Sequence, residues 1–233
     1  MLNWIKSLTV TNESARKAMS EISLAPTNPS VRLEQTRFVV LDFETTGLNI
    51  RKDVPVSIGA IVVHQGSIRL DQQFEHIIYQ PNTQVGQATL VHGLSPQEIE
   101  SGIELAEALI RFYAYAQNSV LIAFHAPFDK AILERATKKQ FDLTPKHQFL
   151  DAYDIGMALY PEYQHLKGLD AWAAKLGLDT DIERHHAAAD AFMTAELMLI
   201  FLRKAQQQGI ITLGQLLRKV EQVQRLSTSR HRF

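Results

Sequence analysis

Apolar positions in the first half of the chain fall into short continuous or alternating runs, not at helical spacing. Phe38-Val39-Val40-Leu41 is an unbroken apolar run, as expected of a central strand buried on both faces. Residues 54–64 predict a second strand, Gln65-Gly66 a turn, and residues 68–79 a third strand. Short links between the three predict antiparallel pairing. Upstream, Ala15, Met19 and Ile22 recur at helical spacing and predict a short amphipathic helix. The following Pro26-Thr27-Asn28-Pro29-Ser30 breaks helix and favours an extended connector.

Helical periodicity takes over after residue 94. Ser95-Pro96-Gln97-Glu98 is a capping box with proline at the first helical position. Ile103, Ala106, Leu109, Ile110 and Tyr113 continue at helical spacing and predict a buried face. Residues 119–124 predict a fourth strand, Pro127 opens a helix, and Phe149-Leu150-Asp151 reads as a fifth, shorter strand. Helices are predicted at about 168–177, 186–206 and 212–225, with a hinge at Gln206-Gln207-Gln208-Gly209. On the last helix Leu213, Leu216, Leu217 and Val220 form an apolar stripe, which more often packs on its own domain than on a partner. The order predicts an α/β fold: a mixed sheet of three antiparallel strands followed by alternating helix and strand.

With 233 residues the chain holds one full-sized domain plus modest appendages. The reading places a body at 37–205, an N-terminal helix and linker at 1–36, and a basic C-terminal helix and tail at 206–233. Absence of cysteine excludes disulfides and thiolate metal sites. The opening residues lack the apolar run of a signal peptide, and no stretch is long enough to span a membrane, so a cytoplasmic protein is expected. Net charge is −1, which argues against bulk coating of nucleic acid. Its distribution changes that picture. Residues 203–233 carry seven Lys/Arg against Glu221 alone, a balance of +6, whereas residues 1–202 balance at −7. An acidic body with a basic tail suits a metal-loaded cleft with a handhold for phosphate; a solvated terminus has the same pattern.

The candidate chemistry lies in three local frames. In Leu41-Asp42-Phe43-Glu44-Thr45-Thr46-Gly47, the two acids are two apart, so an extended strand points both to one face and Phe43 to the other. In His125-Ala126-Pro127-Phe128-Asp129, the carboxylate falls in the first turn of a helix, where the helix dipole alone would favour it. In His185-His186-Ala187-Ala188-Ala189-Asp190, one and a half turns separate His185 from Asp190, so both face one cleft if His185 sits in the preceding loop. Four carboxylates in one pocket could not all stay ionised unaided. A pair of hard divalent cations removes the repulsion and suits in-line displacement at phosphorus.

These frames, in this order, resemble the DEDDh family of 3′-to-5′ exonucleases over about residues 37–205, most closely the proofreading (epsilon) subunit of bacterial DNA polymerase III and its stand-alone relatives. The resemblance implies a ribonuclease H-like fold and two Mg²⁺ or Mn²⁺ ions. Asp42, Glu44 and Asp190 would hold the first, and Asp129 would help hold the second. His185 would be the general base, with His186 a competitor whose spacing of four to Asp190 does not match the family frame. Thr45, Thr46, Gly47 and Leu48 would meet the 3′-terminal nucleotide, Leu48 against its base, and His92-Gly93-Leu94 would line the same pocket. Phe128 and His125 complete the expected substrate contacts. His125 stands where the family often has Asn, and a purely structural role beside the strand is the alternative.

The implied activity is hydrolysis of single-stranded or frayed 3′ ends of DNA to nucleoside 5′-monophosphates, in proofreading or repair, with polymerase contact through the termini. An RNA-trimming enzyme shares every feature of the site. A nucleic-acid-binding or polymerase-associated scaffold shares the fold without turnover.

Overall fold

In a computed structural model, which describes residues 12–22, 26–81, 93–179 and 186–230, the apolar run that starts at Phe38 forms β1 (Phe38–Thr45). It is the middle strand of five. β2 (Pro55–His64) pairs antiparallel with β1, and β3 (Ser67–Ile77) antiparallel with β2. On the other side, β4 (Val120–Ala123) runs parallel to β1, and β5 (Phe149–Asp151) parallel to β4, giving the order β3-β2-β1-β4-β5. This is the mixed ribonuclease H-like sheet that the strand pattern predicts. The helices, in chain order, are α1 (Asn12–Ser20), α2 (Pro96–Glu100), α3 (Leu105–Ala116), α4 (Pro127–Phe141), α5 (Ala152–Leu159), α6 (Leu169–Lys175), α7 (Ala187–Gln207) and α8 (Leu213–Arg230).

The two-residue period of β1 divides the core. Phe38 and Val40 join Ile61, Val63 and Ile122 beneath α5, α6, α7 and α8. Val39, Leu41 and Phe43 join Ile58, Val62 and Leu121 beneath α1, α3 and α4. Burial of each such side chain contributes roughly 1.5–3 kcal/mol. With both faces covered, the sheet holds β1 at its centre and fixes the end of β1 between two cores.

One element departs from the sequence pattern. The helix opened by the Ser95 capping box ends at Glu100, and Ile103 pairs with the end of β3 in a parallel bridge, bonding Ile77 and Tyr79 through its backbone. Gly102 permits this approach, since a Cβ there would lie 2.7 Å from the Ile78 carbonyl carbon. Helix resumes only at Leu105, so Ile103 extends the sheet edge and is not on a helical face.

The flanking segments join the same body. Ala15 and Met19 are buried under α3 and α4. Leu213, Leu216 and Val220 of α8 are buried in the opposite core, and Leu217 packs beside them. The predicted hinge is a tightly capped turn. Gly209 takes φ +74°, Ile210 N–H donates to the Ala205 carbonyl, and the Gln208 side chain donates to the Leu159 carbonyl. Residues 29–33 strap the start of α8: Leu33 N–H donates to Ile211 O, Leu213 N–H to Val31 O and Gly214 N–H to Pro29 O.

Candidate active site

Parallel strands β1, β4 and β5 all end at one edge of the sheet, and the strand order reverses at β1. Open sheets of this kind leave a crevice at such a point. Asp42 and Glu44 lie in the last turn of pleat of β1 and project to the α7 face, as their spacing predicts, while Phe43 is buried in the opposite core. Asp190 comes from the first turn of α7. One carboxylate oxygen from each of Asp42, Glu44 and Asp190 lies within 4.8 Å of the others, and all three residues are half-buried.

A glycine brings the helix down to the strand. Gly59 of β2 pairs with Asp42 and faces the same way. A Cβ on Gly59 would lie 2.2 Å from the Ala188 nitrogen and 2.3 Å from the Ala187 carbonyl carbon. The start of α7 therefore occupies the space of the missing side chain, and Asp190 is delivered one turn further on.

Asp129 approaches from β4. Pro127 opens α4, and the Asp129 carboxylate, almost fully buried, accepts a hydrogen bond from Phe43 N–H at 3.1 Å. The bond ties the fourth acid to the backbone between the first two. Electrostatically the group is strained. Burial, then the charges of Asp190 and Asp129, push Glu44 up to about 8. Burial also holds Asp129 well above the usual carboxylate range, although hydrogen bonds from Phe43 N–H and its own backbone oppose the shift. A cluster of hard oxygen donors fits hard divalent cations: Asp42, Glu44 and Asp190 are placed to share one, with Asp129 behind Asp42 and Glu44.

Asp151 carries a role that no motif marks. It ends β5, caps α5 by accepting Tyr153 N–H at 2.9 Å, and accepts His125 N–H at 3.0 Å on the same oxygen. Burial and the neighbouring Asp154 raise it to about 6. The available signal was an acid directly between an apolar strand and a helical run, the pattern of an N-cap. Asp151 holds the elbow that leads into α4, and residue 125 has φ +59° in that elbow. Left-handed backbone favours Asn, Asp and His among non-glycine residues, so the geometry accommodates His125. The His125 ring lies against Phe124 and Tyr153, and its Nε2 donates to the Lys167 carbonyl at 2.7 Å.

His185 and His92 lie outside the described residues. His186 is the N-cap residue of α7; its carbonyl accepts Asp190 N–H, and its ring lies against Gly93 and near Glu98. Phe128 is half-buried against the α4-side core.

The remaining expected contacts lie on the turn between β1 and β2. The Thr45 hydroxyl donates to the Gly47 carbonyl at 2.7 Å. Thr46 donates to the Asp53 carboxylate and accepts Val54 N–H, while its own N–H donates to the Val54 carbonyl. Asp53 also accepts Asn49 N–H at 2.7 Å. A Cβ on Gly47 would meet that carboxylate at 2.6 Å, so glycine lets it fold over the turn. The turn shapes itself with its polar groups and presents Leu48 outward, 88% exposed. Among the described residues, no helix is long and apolar enough to cross a membrane.

The sequence profile of one family, described as Exonuclease (RNase T), matches residues 39–198. A DNA polymerase III PolC-type protein of Thermotoga petrophila is 30% identical over 184 residues, which are 78% of this chain and 13% of that protein. A DNA polymerase III subunit epsilon-like protein of Rhodobacter capsulatus is 31% identical over 199 residues, 83% of this chain and 28% of that protein. The chain thus spans less than a third of the length of either. A crystal structure of E. coli exonuclease I in complex with a dT13 oligonucleotide superposes with a TM-score of 0.62 at 17% identity, covering 75% of this chain and 42% of that one. At that identity the likeness is one of fold.

Proposed function

We propose, for a chain that belongs to the Exonuclease (RNase T) family, metal-dependent hydrolysis of DNA from single-stranded or frayed 3′ ends, releasing nucleoside 5′-monophosphates. The observation that carries this reading is the carboxylate bed: Asp42, Glu44 and Asp190 within 4.8 Å of one another, with Asp129 bonded to the intervening Phe43 N–H. Two Mg²⁺ or Mn²⁺ ions, one held by Asp42, Glu44 and Asp190 and one by Asp42 with Asp129, would neutralise these acids, acidify a water and stabilise a departing 3′ oxygen.

The chain's own residues do the rest. His185, five residues before Asp190, takes the proton from the attacking water as general base. Leu48 bears on the terminal base, and the Thr45–Gly47 backbone lies alongside the terminal sugar and phosphate. His125 fixes the α4 elbow, and so acts on Asp129 through backbone geometry. A single strand suits the site because the terminal phosphodiester must descend to carboxylates at the floor of a crevice, which a closed duplex end prevents. The dT13 oligonucleotide of the E. coli neighbour supports that preference, and the polymerase III names of the relatives support a setting in replication or repair.

The test is a time course on 3′- and 5′-labelled DNA and RNA oligomers with Mg²⁺, Mn²⁺ or EDTA, beside an Asp42→Ala variant. Metal-dependent shortening from the 3′ end of DNA, absent in the variant, is expected. Faster turnover of matched RNA would transfer the reading to an exoribonuclease, and strands bound but never shortened would make the chain a scaffold.

A further inference from the structure

The turn that carries Leu48 is braced from outside by Arg135, a residue no motif singles out. Arg135 lies on α4, and its guanidinium donates to the backbone carbonyls of both Arg51 (3.2 Å) and Asp53. Inside the turn, polar groups are already mutually bonded: Asp53 holds Asn49 N–H and Thr46, and Asn49 O accepts the N–H groups of Lys52 and Asp53. The turn is therefore a preformed unit, and Arg135 ties it from outside to α4. Its outer surface carries Leu48 and Ile50, which are 88% and 45% exposed. Two large apolar side chains thus face water within three residues, on a turn whose internal polar groups are bonded to one another.

The strut connects two functions. Asp129 and Arg135 are six residues apart on one helix, about 9 Å along its axis. The first reaches back to the Phe43 amide beneath the carboxylates, and the second reaches the far end of the turn that follows them. One helix thus carries both the acid bonded beneath the carboxylates and the arginine bonded to the turn that bears Leu48. An arginine suits this task because its planar fork spans two carbonyls at fixed separation, which a lysine cannot do.

We propose that Arg135 is a positioning residue for nucleic-acid binding, fixing the Leu48 turn over the carboxylates so that an unpaired terminal base is engaged. The proposal rests on the exonuclease reading above. It acts on substrate affinity, through Leu48, and leaves the chemical step to the carboxylates.

Steady-state kinetics on a single-stranded oligonucleotide test it, with Arg135→Ala, Arg135→Lys, Leu48→Ala and the Arg135→Ala/Leu48→Ala double variant. Arg135→Ala should raise KM about tenfold at nearly unchanged kcat, as expected when charge-assisted bonds that order a binding surface are lost. Arg135→Lys should recover part of the loss, and the double variant should be little worse than either single one, because both act through the same contact. An oligonucleotide with 2-aminopurine at its 3′ terminus, titrated with Ca²⁺ replacing Mg²⁺, should show weaker binding and weaker quenching with Arg135→Ala. An unchanged KM, a fall confined to kcat, or strictly additive effects would overturn the strut. Arg135→Lys carries the same readout should the alanine variant fold poorly. A wild-type chain that never shortens the strand would overturn the exonuclease reading instead, so the two failures are distinct.

Discussion

The carboxylate bed and the Leu48 turn are held by opposite means. The carboxylate bed is carried by regular elements packed on both faces of the sheet, yet its charges repel, and burial pushes Glu44 up to about 8. The Leu48 turn is irregular and at the surface, yet its polar groups are bonded to one another, and its discomfort is apolar side chains in water. The bed gathers acids, two of them held above the usual carboxylate range, and so suits cations. The turn shows Leu48 to water, and the partner proposed for that face is the terminal base.

The contrast is tested most severely by Glu44→Gln. Losing a carboxylate from the bed should cost on the order of 10³-fold in kcat, equivalent to several kcal/mol of transition-state stabilisation. The same change should stabilise the metal-free protein. Glu44 binds its proton more tightly folded than unfolded, so its contribution is fully present below about 4.5 and is lost as pH rises through about 8. Thermal unfolding in EDTA should therefore show wild-type Tm falling between about pH 5 and pH 8, and a shallower fall for Glu44→Gln. Added Mg²⁺ should raise wild-type Tm more at pH 8 than at pH 6, because binding ions needs the ionised form. A pH-independent Tm in EDTA would mean that the bed is not strained.

Gly59→Ala comes next. Its methyl would meet the start of α7 at about 2.2 Å, so the helix must shift, with a cost of roughly 1–3 kcal/mol in stability. Asp190 moves with it, and kcat should fall while the KM set by the Leu48 turn changes little. Equal losses in both would show that the two sides are not separable. The smallest effect belongs to His125→Asn. Asn tolerates φ +59° as well as His does and keeps the N–H bonded to Asp151, so activity should stay within about twofold. Substitution of Asp151 by Ala, which removes the acceptor, should do more harm than changing the residue it holds.

What the sequence revealed beforehand was whatever depends on local period or local capping. Asp42 and Glu44 share a face because a strand alternates. Ser95 and Glu98 cap each other because they are three apart, and the Leu213–Val220 stripe is buried because it is helical and apolar. What escaped depends on meetings between distant segments. Ile103 fits a helical pattern but is captured by the backbone of Ile77 and Tyr79. Gly59 looks like a weak point in a strand until a helix 128 residues later lies on it. Asp151 and Arg135 act by bonding backbone groups, 26 residues away for one and more than 80 for the other, and no local spacing encodes such bonds.

The strap that binds residues 29–33 to residues 211–214 has a consequence for how the domain comes together and comes apart. Its bonds join segments roughly 180 residues apart, so they cannot form until the intervening chain has collapsed. Every described strand lies between the two joined segments, so the strap is a late clasp that closes only over a finished sheet. Its three bonds can open without unpairing a strand, which leaves β1 and the acids at its end in register while the clasp is undone.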